Sequence, residues 1–208
     1  MRAPVPWALA GLAFGAFVGS LSAQASHARG AFVGPFLGFV GTGMPDYQWD
    51  YRADFSVGVQ WDQLFQNVFV RLGAFYTGRG AQLTPVGGDG TLKERYVEFP
   101  LLLGYRPPAG RIRVFMMAGA QMGFQTSCTS EGVMDGVSYT SDCHKSSLEQ
   151  IFDYGVLVGG GLSLPVGRAN LTLDLRVMKG LYEDPFYDRK NQSVTVGAAY
   201  MFPLAHHP

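Results

Sequence analysis

Between Leu171 and Met178 the side chains alternate residue by residue: Leu171, Leu173, Leu175 and Val177 on one side, Thr172, Asp174, Arg176 and Met178 on the other. Period two puts successive side chains on opposite faces of a strand, so the segment is committed to a sheet with one apolar face. The same alternation ends the chain, with Val194, Val196, Ala198, Tyr200 and Phe202 against Thr195, Gly197, Ala199 and Met201. Upstream it sets Val97, Phe99, Leu101, Leu103 and Tyr105 against Glu98, Pro100, Leu102 and Gly104. It then sets Ile112, Val114, Met116, Ala118, Ala120 and Met122 against Arg113, Phe115, Met117, Gly119 and Gln121. Eight such segments are read, at about 31–40, 55–61, 67–77, 94–106, 111–124, 153–164, 169–179 and 192–202. No helical period of comparable length competes with them, and each is close to the length of a tilted membrane strand.

The connections sharpen this reading. Short ones (62–66, Pro107-Pro108-Ala109-Gly110 and Pro165-Val166-Gly167-Arg168) alternate with long ones (41–54, 78–93, 125–152 and 180–191). An antiparallel meander then gathers every long connection at one end, as a membrane barrel with short periplasmic turns and outward loops does. A soluble sandwich or lipocalin-like barrel also has eight strands but has no reason for that asymmetry. Pro35 and Pro100 fall inside the first and fourth segments, where a closed barrel has no free edge, so a bulge is expected at each.

Composition agrees. Only 15% of residues are charged, Gly occurs 28 times, and Phe and Tyr together far outnumber the 3 Trp, which is a β-rich recipe. Sixteen basic residues balance 16 acidic ones, so no basic field recruits nucleic acid. Four histidines and two cysteines are too few for a zinc cluster or a disulfide-dense scaffold.

At the N-terminus, Arg2 precedes an apolar stretch from Trp7 to Leu21, and small residues follow in Leu21-Ser22-Ala23-Gln24-Ala25. This reads as a secretory signal peptide over residues 1–25, cleaved after Ala25 with Ala23 as second choice, leaving 26–208 as one barrel domain. The stretch is shorter than the roughly 20 apolar residues a spanning helix needs. Beyond Leu21 no apolar run reaches 12 residues, so a mature chain that spans a membrane does so as a barrel.

If the apolar faces meet lipid, Arg71, Glu98, Arg113, Asp174 and Arg176 point inward with Gln60 and Gln121. Glu98 lies on a strand flanked by those of Arg71 and Arg113, which suggests a buried Arg-Glu-Arg arrangement. An eight-stranded barrel is filled by its own side chains, so these charges read as a lumen network that plugs the barrel and not as an ion path. Cys128 and Cys143 share the longest outward loop, and export permits a disulfide between them, stabilising by roughly 3 kcal/mol. Aromatic residues at strand ends anchor a barrel at both interfaces. Trp49, Tyr182, Phe186 and Tyr187 lie in outward loops and are the candidates for contact with a partner. His144 with Ser146, Ser147 and Glu149 is the one cluster with the ingredients of a nucleophile and base, and a solvated loop explains it better. Gly87-Gly88-Asp89-Gly90 reads as a turn, and His206 with His207 as a tail lacking a third metal ligand.

The segments Tyr96-Val97-Glu98-Phe99-Pro100-Leu101-Leu102-Leu103-Gly104-Tyr105, Gly159-Gly160-Gly161-Leu162 and Leu171-Thr172-Leu173-Asp174-Leu175-Arg176 resemble the PorT-like family of small outer-membrane β-barrel-domain proteins. The resemblance covers roughly residues 30 to 202 and accounts for Pro100. It implies an outer-membrane location in a Gram-negative bacterium and no particular activity; the chain departs from the pattern by continuing past Phe202 to Pro208.

The expectation is an all-β, eight-stranded, up-and-down transmembrane barrel without catalytic residues, metal or cofactor. Its lumen is closed, its contacts are outer-membrane lipid and an extracellular or envelope protein, and its role through the long loops is structural or adhesive. The alternatives are a lipid- or peptide-modifying enzyme at the outer rim and a soluble periplasmic barrel holding an apolar ligand.

Overall fold

The computed structural model describes residues 29–43, 49–83, 88–108, 110, 112–134, 136–143, 152–181 and 192–204. These form nine strands: β1 (Arg29–Gly43), β2 (Trp49–Phe65), β3 (Val68–Leu83), β4 (Gly88–Tyr105), β5 (Arg113–Met134), β6 (Val137–Asp142), β7 (Phe152–Val166), β8 (Ala169–Gly180) and β9 (Gln192–Pro203). Eight of them pair antiparallel in the order β1-β2-β3-β4-β5-β7-β8-β9, and β9 returns to β1, closing the barrel. Both the start of β1 and the end of β9 lie at the short-turn end, where Arg29 faces Phe65 and Phe32 faces Pro203. The turn from β7 to β8 places Gly167 at φ 62°, and Gly136 between β5 and β6 adopts 77°, backbone conformations that a side chain disfavours.

The faces divide as the period-two reading expects. On β4 Tyr96, Glu98 and Leu102, and Arg106 just after it, are buried while Phe99, Leu101, Leu103 and Tyr105 are exposed. On β8 Thr172, Asp174, Arg176 and Met178 are buried, and Leu173 and Leu175 are exposed. Large apolar side chains form the outer wall and charged ones the interior, the arrangement of a barrel surrounded by hydrocarbon.

Glycine on the inner wall lets rings lie flat across neighbouring strands. A Cβ at Gly104 would stand 2.1 Å from the ring of Phe69, and one at Gly197 would stand 2.2 Å from that of Phe36. The rings then meet edge-on, Phe36 with Phe75 at 4.9 Å and Phe69 with Phe115 at 5.7 Å between centroids.

Three expectations are corrected. The strands run past the segments read from alternation: β2 begins at Trp49, β3 continues to Leu83, β4 starts at Gly88 and β5 reaches Met134. Residues read as loops are therefore ladder, and the hairpin partner β6 lies inside the segment read as the longest loop. On the long-loop side β5 exchanges partners, pairing with β7 up to Phe124 and with β6 from Thr129 onward, so β4, β5 and β6 continue as a three-stranded ribbon. Third, neither proline makes a bulge. Pro100 faces Gln121 in unbroken register and leaves only a gap in the β3–β4 ladder opposite Gly73, and Pro35 faces Val59 with a gap toward β9. Register shifts occur at Tyr51/Ser56 and at Arg95/Tyr96. Where β2 and β3 part at the first of these, the Thr42 hydroxyl donates to Gly80 O at 2.7 Å and accepts from Gly80 N at 2.9 Å.

Candidate functional site

The lumen is filled by two layers of charge. In the layer nearer the short turns, Arg71 on β3 stands directly opposite Asp62 on β2. Its Nε donates to Asp62 Oδ1 at 2.7 Å and its Nη2 to Oδ2 at 2.8 Å, a bidentate fork. Nη1 reaches across the barrel to Asp174 Oδ2 on β8 at 2.8 Å. Arg176 also donates to Asp174, from Nε at 3.1 Å and Nη2 at 2.9 Å, and passes on to Gln60 Oε1 at 2.9 Å. Arg106, at the end of β4, lies 3.9 Å from Asp62. Aromatic faces complete the cage: Arg71 lies over Phe69 and Phe115, and Arg176 over Phe36 at 4.4 Å and Phe75 at 5.1 Å. Buried charge is tolerated here because each carboxylate meets more than one cation and the spare guanidinium surface meets rings.

The second layer, nearer the long loops, centres on Arg79. It forms ion pairs with Glu98 and, at 2.7 Å, with Asp153 on β7, and it lies 4.9 Å from the ring of Tyr96. Thr77 donates to Glu98 Oε2 at 2.9 Å and exchanges a hydrogen bond with Ser56, and Gln125 donates to Glu94 at 2.8 Å. Between the layers remains a cavity of about 10 Å³ bordered by Phe36, Glu98, Gln121, Arg176 and Ser193, room for roughly one water.

The sequence-derived residues are thus distributed unevenly. Arg71, Asp174 and Arg176 meet in one cluster, whereas Glu98 belongs to the other layer. The Arg-Glu-Arg arrangement is corrected by register. Arg71 faces Leu102, four residues from Glu98 along β4, and Glu98 faces Gly123, ten residues from Arg113 along β5, or about 13 and 33 Å at strand rise. Arg113 sits half-buried at the short-turn end, outside both layers. The partners missed in sequence are Asp62, Arg79, Arg106 and Asp153. Asp62 and Arg79 share the inward parity of Gln60 and Arg71, and extending those strands by one or two steps finds them.

Cys128 on β5 and Cys143 just after β6 form a disulfide with Cα atoms 5.0 Å apart, and Cys143 N donates to Cys128 O at 3.2 Å. The bridge fastens the base of the β5–β6 hairpin, whose second strand is exposed at every residue. Tyr182, Phe186, Tyr187, His144 and the segment read as a signal peptide lie outside the described residues, as does the Trp49 side chain.

A solved structure of the attachment invasion locus protein Ail of Yersinia pestis is 17% identical, covering 84% of this chain and 100% of that one at a TM-score of 0.45. Neisserial surface protein A is 9% identical, covering 81% and 95% at 0.45, and the N-terminal barrel domain of Pseudomonas aeruginosa OprF is 12% identical, covering 84% and 98% at 0.40. These likenesses carry no ligand or activity to this chain. No curated protein sequence matches it. The model of the outer membrane protein beta-barrel domain matches residues 11–183. With an eight-stranded closed barrel, an apolar outer wall and a match over most of its length, the chain is a bacterial outer-membrane protein and belongs to the outer membrane protein beta-barrel domain family.

Proposed function

We propose that the chain is a closed, non-conducting barrel with a structural and surface-interaction role, carried by the elements that project beyond the membrane. The observation that supports this is the filled lumen: two ion-paired layers cross the barrel and leave space for about one water between them. A general pore needs a continuous aqueous path, and an eight-stranded interior is only wide enough for its own side chains. The β5–β6 hairpin, fastened at its base by the disulfide, and the aromatic residues Trp49, Tyr182, Phe186 and Tyr187, which the sequence assigns to the long connections, are the surface offered to an extracellular or envelope protein. The protein has no catalytic role in this reading, and within its family it is PorT-like, on the strength of Tyr96–Tyr105 and Leu171–Arg176.

Planar bilayers containing the purified, folded chain are expected to show no discrete conductance steps, and porin-sized steps would refute the closed lumen. A photo-crosslinker at Tyr139 on β6 in intact cells is expected to yield a protein adduct that the same group at Val57 on the outer wall does not. Equal behaviour at both sites would refute the contact role of the hairpin.

A further inference from the structure

The outer wall is apolar around the barrel until, at the long-loop end of β2, β3 and β4, it becomes abruptly charged. On β4 the outward face reads Tyr105, Leu103, Leu101, Phe99, Val97 and then Arg95. Arg95 therefore stands one side-chain step, about 7 Å of strand, beyond the last lipid-facing valine. β2 shifts register against β3 at Tyr51/Ser56 while keeping register with β1, and across this irregularity the half-buried Arg52 and Asp54 reach Arg95 over Gly78. Arg95 Nη1 donates to Asp54 Oδ1 at 2.8 Å, and Arg52 Nη2 lies 3.3 Å from Asp54 Oδ2. Asp54 Oδ1 also accepts from Phe55 N at 2.9 Å, Arg52 Nη1 donates to Leu92 O at 3.2 Å, and the Arg95 guanidinium lies 5.1 Å from the Phe55 ring.

Three features mark this as a built site and not a chance surface pair. The carboxylate is only 7% exposed whereas Arg52 and Arg95 retain 21% and 27%, so the anion is enclosed and the cations present their remaining N–H groups outward. Gly78 on β3 separates the strands, and a Cβ there would lie 1.9 Å from Arg95 Nη1 and 2.3 Å from Asp54 Cγ, so glycine admits the contact. Two guanidinium groups against one carboxylate leave one positive charge, at the depth where hydrocarbon gives way to headgroups. Exposed ion pairs contribute little to stability, and a guanidinium fork matches phosphate oxygens.

We propose that Arg52 and Arg95, held by Asp54, bind a phosphate group on the headgroup of an outer-leaflet glycolipid. The acyl chains of that lipid then descend along the apolar wall of Val57, Tyr76 and Val97 directly below. Asp54 is a positioning residue: it fixes both forks and touches no lipid.

The test uses the folded full-length chain in detergent and native mass spectrometry with bisphosphorylated lipid A. Wild type is expected to retain the lipid, and R52Q/R95Q to retain it at least about tenfold less tightly. Because that variant leaves Asp54 without its cations, D54N/R52Q/R95Q is measured beside it, with heat-modifiable migration confirming the fold of each. K179Q removes an exposed charge from β8 elsewhere on the rim and is expected to bind as wild type. Unchanged retention by both arginine variants, or an equal loss in K179Q, would overturn the proposal. Fully dephosphorylated lipid A is expected to match the arginine variants; retention equal to that of the phosphorylated lipid would overturn recognition of the phosphate. Displacement of lipid A by an equal concentration of inorganic phosphate would identify a free-phosphate site and overturn the lipid assignment.

Discussion

Arg71 is the residue on which the lumen depends most. It satisfies Asp62 from the adjacent strand and Asp174 from across the barrel, and all three side chains are essentially inaccessible. Replacing it with Met leaves buried Asp62 with Arg106 alone, at 3.9 Å, and Asp174 with Arg176 alone, so unfolding in detergent and urea is expected to show a loss of about 3–5 kcal/mol. The joint replacement D62L/R71M removes that pair together and leaves Asp174 with Arg176, so it is expected to recover part of that loss. R113Q, outside both layers, is expected to stay within about 0.5 kcal/mol of wild type. A large loss there would place Arg113 in the network after all. Sequence alone exposed the inward parity of Arg71, Asp174 and Arg176, because apolar neighbours on the opposite face fix it. The pairing partners of Glu98 and Arg71 stayed hidden, since partners depend on stagger between strands, and a shift of four residues turns a neighbour into a stranger.

At the scale of elements, the lipid-facing parts of the strands were legible and their extensions were not. Between Val97 and Tyr105 one side meets hydrocarbon, so every second residue is large and apolar. Between Thr91 and Arg95, and between Ser127 and Glu131, polar residues occupy both sides, yet the ladder continues through pairs such as Lys93 with Thr129. Period two reports the contrast between faces and not the hydrogen bonds, and it fades where the contrast fades. The ribbon of β4, β5 and β6 was hidden for that reason, although the cysteines that fasten it stood out by number alone. Thiol labelling of intact cells is expected to modify Cys128 and Cys143 only after reduction. C128S/C143S is expected to become sensitive to external protease between residues 129 and 143 while the barrel itself survives. Protection equal to wild type would show that the ladder holds the hairpin without the bridge.

For the whole molecule, closure gives every barrel strand two hydrogen-bonded neighbours, and cross-lumen ion pairs tie β3 to β8 and β3 to β7. Such a barrel resists detergent until heated. Unboiled and boiled samples are expected to migrate differently on a denaturing gel, and R71M is expected to lose that difference at a lower temperature. Identical migration of wild type before and after boiling would argue against a membrane-embedded closed barrel.

The ion pairs between strands far apart in sequence also constrain how the molecule enters its membrane. Arg71 and Asp174 are 103 positions apart, so their pair forms only when the sheet curls shut. A flat, half-assembled sheet lying in hydrocarbon would turn Arg71, Arg79, Asp174 and Arg176 toward lipid, and an arginine at the bilayer midplane is unfavourable by about 2–4 kcal/mol. The polar inner surface therefore forbids the route in which strands insert one after another and curl later. Curling must accompany insertion, with the charges carried inward on the concave side, and it is complete only when β9 pairs with β1.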